Sequence, residues 1–452
     1  MSEETTREAG FGTKAVRGGY SAGENNAAVV PPIYQTTAFE LASPEEARDL
    51  FGARKLGYIY SRPMNPTTTA LEERIRQLEG ASGVVSAPSG MAAIAYTLLA
   101  LTEGGGSVLA SPFLYGGMID SFHKLYPKFG IRVDLARHIL EPDLLEQEIR
   151  PDTRAIYVES ISNPNAYLVD VDALAEVAHR HHIPLVVDNT VATPYLYRPL
   201  EHGADVVVYS LTKGLSGHGN IIGGLVLESG KFGYSRDLYP QIYEGHYTLR
   251  DLDGNPQSFI DVFPQAPLTT LIRMVYVTLL GSVLQPFDSY LALQGVETLP
   301  LRLAQESASA LKLAQWLEGN PHVAWVRYPG LESSPFHQRA QRDLPRGAGA
   351  LLSFGFDGTP EQEDKFLNAL HVFSYLANIG DVRSLIIDSP NTTHSEAYPS
   401  EWDLADLPRN LVRISVGLED VDDLIADLDT GFAAAFGGAE DEESPEPVRA
   451  VA

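Results

Sequence analysis

The chain has 452 residues, enough for two or three domains that each bury a core. Its 44% hydrophobic and 20% charged content is that of a globular enzyme, and a formal charge of −26 argues against nucleic acid or an anionic membrane surface as partner. The absence of cysteine excludes disulfides, thiolate metal sites and a cysteine nucleophile, and fits the reducing cytoplasm expected for the protein.

The start, Met1 to Glu8, is charged and lacks the apolar core of a secretory signal. Up to about Gly57 the chain mixes Gly, Pro, Asn and short apolar pieces, which predicts an extended arm. A helical pattern follows over Thr69–Glu79, closed by Gly80 at the C-cap position. The apolar stretch from Met91 to Leu101 is too short to span a bilayer. Strand candidates then alternate with helical segments: Val108–Ala110, Ile131–Val133, Ala155–Val158, Leu185–Val187 and Val206–Val208, with Val171–His179 among the helices. That rhythm predicts a largely parallel sheet covered on both faces. It breaks down between about Lys231 and Leu284, where Tyr243–Pro267 is aromatic and polar with Asp-Gly and Asn-Pro turn signals. A long helix is expected from Ser289 to Leu317, then a smaller α/β segment that includes Gly349–Phe354 and Leu411–Val416. The last residues are acidic and contain proline, the composition of a disordered tail. The expected organisation is an arm (1–60), a large domain (61–285, with a divergent insertion at 230–285), a C-terminal domain (286–436) and the tail (437–452).

The chemistry gathers at strand ends. The run Ala204–Tyr209 delivers Ser210-Leu211-Thr212-Lys213, with Ser216-Gly217-His218-Gly219 behind it, and Ile183–Val187 delivers Asp188. Active sites of α/β proteins lie at such ends. A lysine just past a strand is ordinarily a solvated surface residue, and an aspartate there is ordinarily a helix cap. Here two hydroxyls flank the amine, and an amine paired with a carboxylate is what a pyridine aldehyde cofactor needs. The amine forms a Schiff base, and the acid sits against the ring nitrogen. Ser89-Gly90-Met91 opens an apolar helix whose N-terminus suits a phosphate, although serine is also a common N-cap. Tyr115, before Gly116 and Gly117, can stack on a flat ring or sit in a core or rim. Tyr60 and Arg62 share one side of an extended segment, where the arginine either meets a phosphate or is merely exposed. Arg413 lies in an apolar strand, so it needs a partner. A substrate carboxylate and an internal salt bridge both answer that need. His218 and the His181-His182 pair form no metal constellation.

Together these residues resemble the Cys/Met-metabolism family of PLP-dependent enzymes. The likeness runs from about Thr13 to Phe436 and is strongest to the O-acetylhomoserine sulfhydrylase group. It is carried by Pro32–Thr37, Tyr60–Thr67, Val187–Thr190, Ser216–Gly219, Ala377–Asp381, Thr392–Ser395 and Arg413–Gly417. The resemblance implies fold-type I, the aspartate-aminotransferase-like α/β architecture with a mostly parallel central sheet and a smaller C-terminal domain. It implies that Lys213 carries pyridoxal 5'-phosphate, Asp188 pairs with the pyridinium nitrogen and Tyr115 stacks on the ring. Ser89, Gly90, Met91, Ser210 and Thr212 would surround the phosphate, joined by Tyr60 and Arg62 of a neighbouring subunit. Arg413, with Asn378 and Asn163 near it, would bind the substrate carboxylate. The implied assembly is a homotetramer built as a dimer of dimers. The implied reaction is γ-replacement on an O-acylated homoserine by a sulfur nucleophile, the alternative being γ-elimination of a thioether or halide. Three features depart from the sulfhydrylase pattern: Met91 where Gln is common, Tyr209 where His is common, and the stretch from about Tyr243 to Leu271, which aligns poorly with the sulfhydrylase insertion. Gly117, where methionine γ-lyases typically carry Cys, weighs against the lyase alternative.

Overall fold

The computed structural model describes residues 8–103, 105–395 and 402–437, so the acidic tail beyond Gly437 lies outside the described residues. Seven strands make the large sheet: β1 (Gly83–Ala87), β2 (Gly106–Ala110), β3 (Ile131–Leu135), β4 (Thr153–Glu159), β5 (Leu185–Asp188), β6 (Val206–Ser210) and β7 (Gly224–Glu228). Their order is β1-β7-β6-β5-β4-β2-β3. The pairs β2–β3, β2–β4 and β4–β5 are parallel, and β7 runs antiparallel to both β1 and β6. The strand candidates of the large sheet all fall inside observed strands: the central ones are covered on both faces and written as continuous Val/Ile/Leu runs, while edge strand β3 alternates apolar and polar residues.

Two compact units divide the chain. The first comprises residues 1–103, 205–216 and 220–300, and the second 104–204, 217–219 and 301–452. In the first, the helix Pro66–Glu79 starts where the Asn65 side chain accepts the Thr67 N–H (2.9 Å), with proline at the first turn. It ends on Gly80 at φ 80°, a left-handed conformation that glycine adopts at little cost. It lays Leu71, Ile75 and Leu78 against β1, each fully buried aliphatic side chain contributing roughly 1.5–3 kcal/mol. The expected extended arm is in part helical. Residues Phe11–Arg17 and Pro44–Phe51 form helices, the second started by Ser43, whose hydroxyl accepts the Glu46 N–H. The Ser-Pro-Glu-Glu start was a readable cap signal masked by the surrounding polar sequence.

The divergent insertion packs as short helices around a hairpin, β8 (His246–Arg250) and β9 (Pro256–Gln257). Its anchor is buried Glu228 at the end of β7, which accepts the N–H groups of Leu268 and Thr269 and the Thr269 hydroxyl. Burial pushes that carboxyl up to about 7 against the pull of these donors.

In the second unit the helix Val171–Arg180 is capped by Asp170 and supports the parallel strands. A smaller sheet has the order β10-β11-β14-β13-β12, made of Val323–Arg327, Leu351–Phe356, Leu411–Ser415, Leu385–Ile387 and Ser374–Tyr375 respectively. The long helix runs Pro286–Glu318 and continues through Pro300. Among the described residues no helix is long and apolar enough to cross a membrane.

Candidate active site

Two clusters hold the predicted site residues, one in each unit. In the first, β6 ends at Ser210 and the chain enters a wide turn, Leu211–Leu215, closed by the bond from the Ser216 N–H to the Leu211 carbonyl (3.1 Å). Wide i→i+5 turns recur at functional sites. Lys213 is the one residue within it whose backbone is not helical (φ −93°, ψ −138°). Thr212 pins the turn to the next strand, its hydroxyl accepting the Gly223 N–H at 3.1 Å. Beside it the helix Gly90–Leu101 begins at Ser89, whose side chain accepts the Ala92 N–H (3.0 Å) while its carbonyl takes that of Ala93. The first-turn N–H groups of Gly90 and Met91 are those a helix leaves for an outside acceptor.

Close packing fixes this cradle. A Cβ on Gly90 would lie 2.7 Å from the Ser210 Cβ, and one on Gly224 would lie 2.2 Å from the Ser89 carbonyl oxygen. Tyr209, where the family commonly has histidine, is fully buried and donates its hydroxyl to Glu79. The substitution is thereby absorbed by the core. Tyr60 and Arg62 lie at a turn following an isolated bridge to Ala38, with the guanidinium 5.4 Å from the ring centroid. Both side chains are exposed.

The second cluster is built on β4, β5 and β14. Asp188 ends β5, accepting the Thr190 N–H at 3.0 Å and the Tyr157 hydroxyl at 3.4 Å. Burial raises its pKa. Arg413, on β14, is only 3% exposed. Its guanidinium donates to the Asn163 side-chain oxygen at 2.9 Å and to the Asn378 carbonyl at 3.1 Å. Asn378 thus contributes backbone rather than side chain. No carboxylate pairs with Arg413 among the described residues. Burial pulls its pKa down to about 10, which leaves it a cation at neutral pH.

Tyr115 is 43% exposed, with its ring lying over Gly117, where a Cβ would approach within 2.6 Å of it. A side chain at position 117 would therefore displace the ring. Two residues without a role in the sequence reading join this cluster. Glu159, the last residue of β4, stands opposite Asp188 in the register and accepts the Tyr115 N–H at 2.7 Å and the Asn163 N–H at 2.9 Å. His394 is buried between Thr393 and the Leu114 carbonyl, and desolvation first, then the charge of Arg413, holds its pKa down at about 4. The signal for His394 was its place in the Thr392–Ser395 motif. For Glu159 it was a carboxylate directly after an apolar strand.

Away from both clusters, Asp172, His202 and Asp343 bring their ligating atoms within 4.8 Å of one another. Protein partners already serve them: His202 meets Asp172 at 3.0 Å and Arg342 grips Asp343 at 2.5 and 2.8 Å. A cleft of about 620 Å³ beside β3 contains none of the predicted residues, and its His138–Glu148 (2.7 Å) and Asp134–Arg150 (3.5 Å) contacts leave little charge unpaired.

A turn that carries a lysine after a strand, a helix N-terminus beside it and, in the other unit, a carboxylate at a strand end are the parts used by α/β enzymes of the pyridoxal phosphate type. The sequence profile of the Cys/Met metabolism PLP-dependent enzymes matches residues 12–433, and the chain belongs to that family. A sulfhydrylase of Gibberella moniliformis is 39% identical, with 94% of this chain and 98% of that protein covered. An O-acetyl-L-homoserine sulfhydrylase of Leptospira meyeri is 37% identical, with 92% and 95% covered. A Campylobacter jejuni chain assigned as an O-acetylhomoserine (thiol)-lyase, solved with N'-pyridoxyl-lysine-5'-monophosphate, superposes with a TM-score of 0.88 at 33% identity, covering 93% of this chain and 99% of its own. Pyridoxal phosphate is the family's cofactor, and the residues present fit it. Gly90 and Gly224 let the start of the helix pack directly on Ser210 and β7, which brings the first-turn N–H groups of that helix beside the end of β6, and Lys213 supplies an amine on the turn that follows.

Proposed function

We propose that this protein catalyses γ-replacement on an O-acylated homoserine, with a small sulfur nucleophile taking the place of the acyloxy group. The observation that carries the reading is Arg413, a buried guanidinium held by one amide oxygen and one carbonyl, with no carboxylate against it among the described residues. An α-carboxylate supplies the missing charge in bidentate form. The sulfhydrylase relatives, similar over nearly their whole lengths, support the choice of leaving group and nucleophile.

In this reading Lys213 carries the cofactor and Ser89, Gly90, Met91, Ser210 and Thr212 hold its phosphate. Bound pyridoxal phosphate supplies an electron sink for the negative charge left at Cα. Asp188 keeps the proton on the ring nitrogen. Tyr115 covers the ring, and Arg413, aimed by Asn163 and Asn378, fixes the substrate carboxylate. Once released, the Lys213 amine would remove the Cα proton, pass it onward and, neutral again, take one from Cβ, while Tyr115 would deliver a proton to the departing oxygen on Cγ. Feeding O-acetylhomoserine with and without sulfide tests the assignment. Homocysteine should accumulate only with sulfide. Formation of 2-oxo acid and ammonia alone, whatever thiol is added, would instead make the enzyme a γ-lyase.

The active form in this proposal is a cytoplasmic homo-oligomer, a tetramer of two site-sharing dimers, in which Tyr60 and Arg62 reach a neighbour's phosphate. The solvent-facing Tyr60–Arg62 pair supports this, as do exposed apolar side chains on the first unit, among them Val29, Phe51, Leu56, Ile222 and Leu280. Arg62→Ala should retain cofactor more weakly. Mixed with Lys213→Ala subunits it should regain activity, because a hybrid dimer then has one site with both residues intact. Mixtures no more active than the separate variants would refute site sharing.

A further inference from the structure

Glu159 is 6% exposed and each of its two oxygens has one backbone donor. Oε1 accepts from Tyr115 at 2.7 Å and Oε2 from Asn163 at 2.9 Å. These donors precede two different functional groups. Tyr115 carries the half-exposed ring, and Asn163 carries the oxygen that receives the Arg413 guanidinium at 2.9 Å. We infer that Glu159 is a positioning residue that couples the covering ring to the carboxylate-binding arginine, so that one side chain sets both ring placement and substrate grip. The inference rests on the roles proposed above for Tyr115 and Arg413.

Several features favour this over simple core filling. Aliphatic residues at the end of β4 would satisfy burial without leaving a carboxyl beside Asp188, with which Glu159 is in register. Placing two acids side by side in a buried site is costly, and burial followed by the Asp188 charge drives the Glu159 carboxyl well above its ordinary range. A feature that costs stability is expected where positioning demands it. The Tyr115 segment is held from the opposite side as well. The Leu114 carbonyl faces His394 Nε2 at 3.3 Å, and a Cβ on Gly116 would lie 2.1 Å from the Thr393 carbonyl oxygen. With that side fixed by close packing, the bond to Glu159 sets the tilt of the ring.

The test compares three holoenzymes: Glu159→Gln, which keeps the shape but turns one acceptor into an NH₂ donor facing a backbone N–H; Asn163→Ala; and the parent. Losing a hydrogen bond to a charged group predicts that Glu159→Gln weakens binding of glycine, an unreactive amino acid, roughly tenfold and lowers kcat by a similar factor. Asn163→Ala, which touches only the arginine side of the coupling, should weaken glycine binding by a larger factor than it lowers kcat, whereas Glu159→Gln should lower both alike. In the cofactor-free protein, Glu159→Gln should speed hydrogen exchange at the Tyr115 and Asn163 amides without changing exchange along β5. A variant with a lower Tm but parental glycine affinity, kcat and exchange at these two amides would overturn the inference. If Glu159→Gln does not fold, Glu159→Asp, too short to reach both donors, should impair one of the two parameters, and sparing both would be equally decisive. Should Arg413→Met bind glycine as the parent does, the carboxylate reading of Arg413 fails, and the exchange result still decides what Glu159 positions.

Discussion

Lys213→Ala is expected to abolish covalent retention of the cofactor and to lower turnover by at least about 10³, the scale on which a positioned acid–base group acts. The lysine is set at the head of a wide turn whose neighbours are already committed. Leu211 closes the turn through Ser216, and Thr212 is bonded to Gly223. Removing the side chain therefore leaves the turn standing, and the variant should fold and still collect cofactor in the cradle formed by the Gly90 helix and Ser210. Lys213→Arg separates charge from nucleophilicity. It keeps a cation at the same place, yet a guanidinium stays protonated and is too poor a nucleophile to attach the cofactor. Borohydride reduction followed by peptide mapping reads the outcome. A pyridoxyl group still found on the Lys213→Ala chain would show that another amine carries the cofactor and would sink the assignment.

Legibility divides by how local the signal is. Strand cores β2 and β4 to β6 were readable because double-sided burial leaves unbroken apolar runs, edge strand β3 from its apolar–polar alternation, and the Gly80 helix stop because a left-handed residue has few substitutes. Lys213 and Asp188 were readable as the residues those runs deliver. Glu159 was not, since its meaning depends on register against Asp188 and on two backbone donors, one 44 residues before it and one 4 after it. Nor could sequence choose between the two partners for Arg413, because that required seeing its guanidinium bonded to Asn163 and the Asn378 carbonyl, residues far from it in the chain. The Tyr60–Arg62 pair did come out on one side of the chain, but at a turn, where the guanidinium lies against the tyrosine ring. Tyr209 illustrates the reverse: a departure from the family pattern that alarms in sequence becomes, in the fold, a buried hydroxyl bonded to Glu79.

Arg413→Met should produce two opposite effects, and their combination is diagnostic. A bidentate carboxylate contact with a buried guanidinium comprises two charge-assisted hydrogen bonds of roughly 1.5–3 kcal/mol each, so its loss should weaken amino-acid binding by about 10² to 10⁴. The same substitution removes a cation that the fold buries with only an amide oxygen and a carbonyl for partners. Burial pulls its pKa down to about 10, so the fold disfavours the charged form that is present at neutral pH. The sign follows from the depression: the folded chain holds this proton less tightly than the unfolded one, so below pH 10 the charge works against folding. Methionine has similar reach and no charge, and replacing buried ions by apolar groups of like volume is often stabilising. The substrate-free variant should therefore melt higher than the parent while losing its grip on glycine. An internal structural role predicts the reverse, a lower Tm with binding largely preserved. Arg413→Lys should fall between, because an ammonium keeps the charge but offers a point rather than a fork to the carboxylate. Differential scanning calorimetry and glycine titration on the same preparations decide between the two.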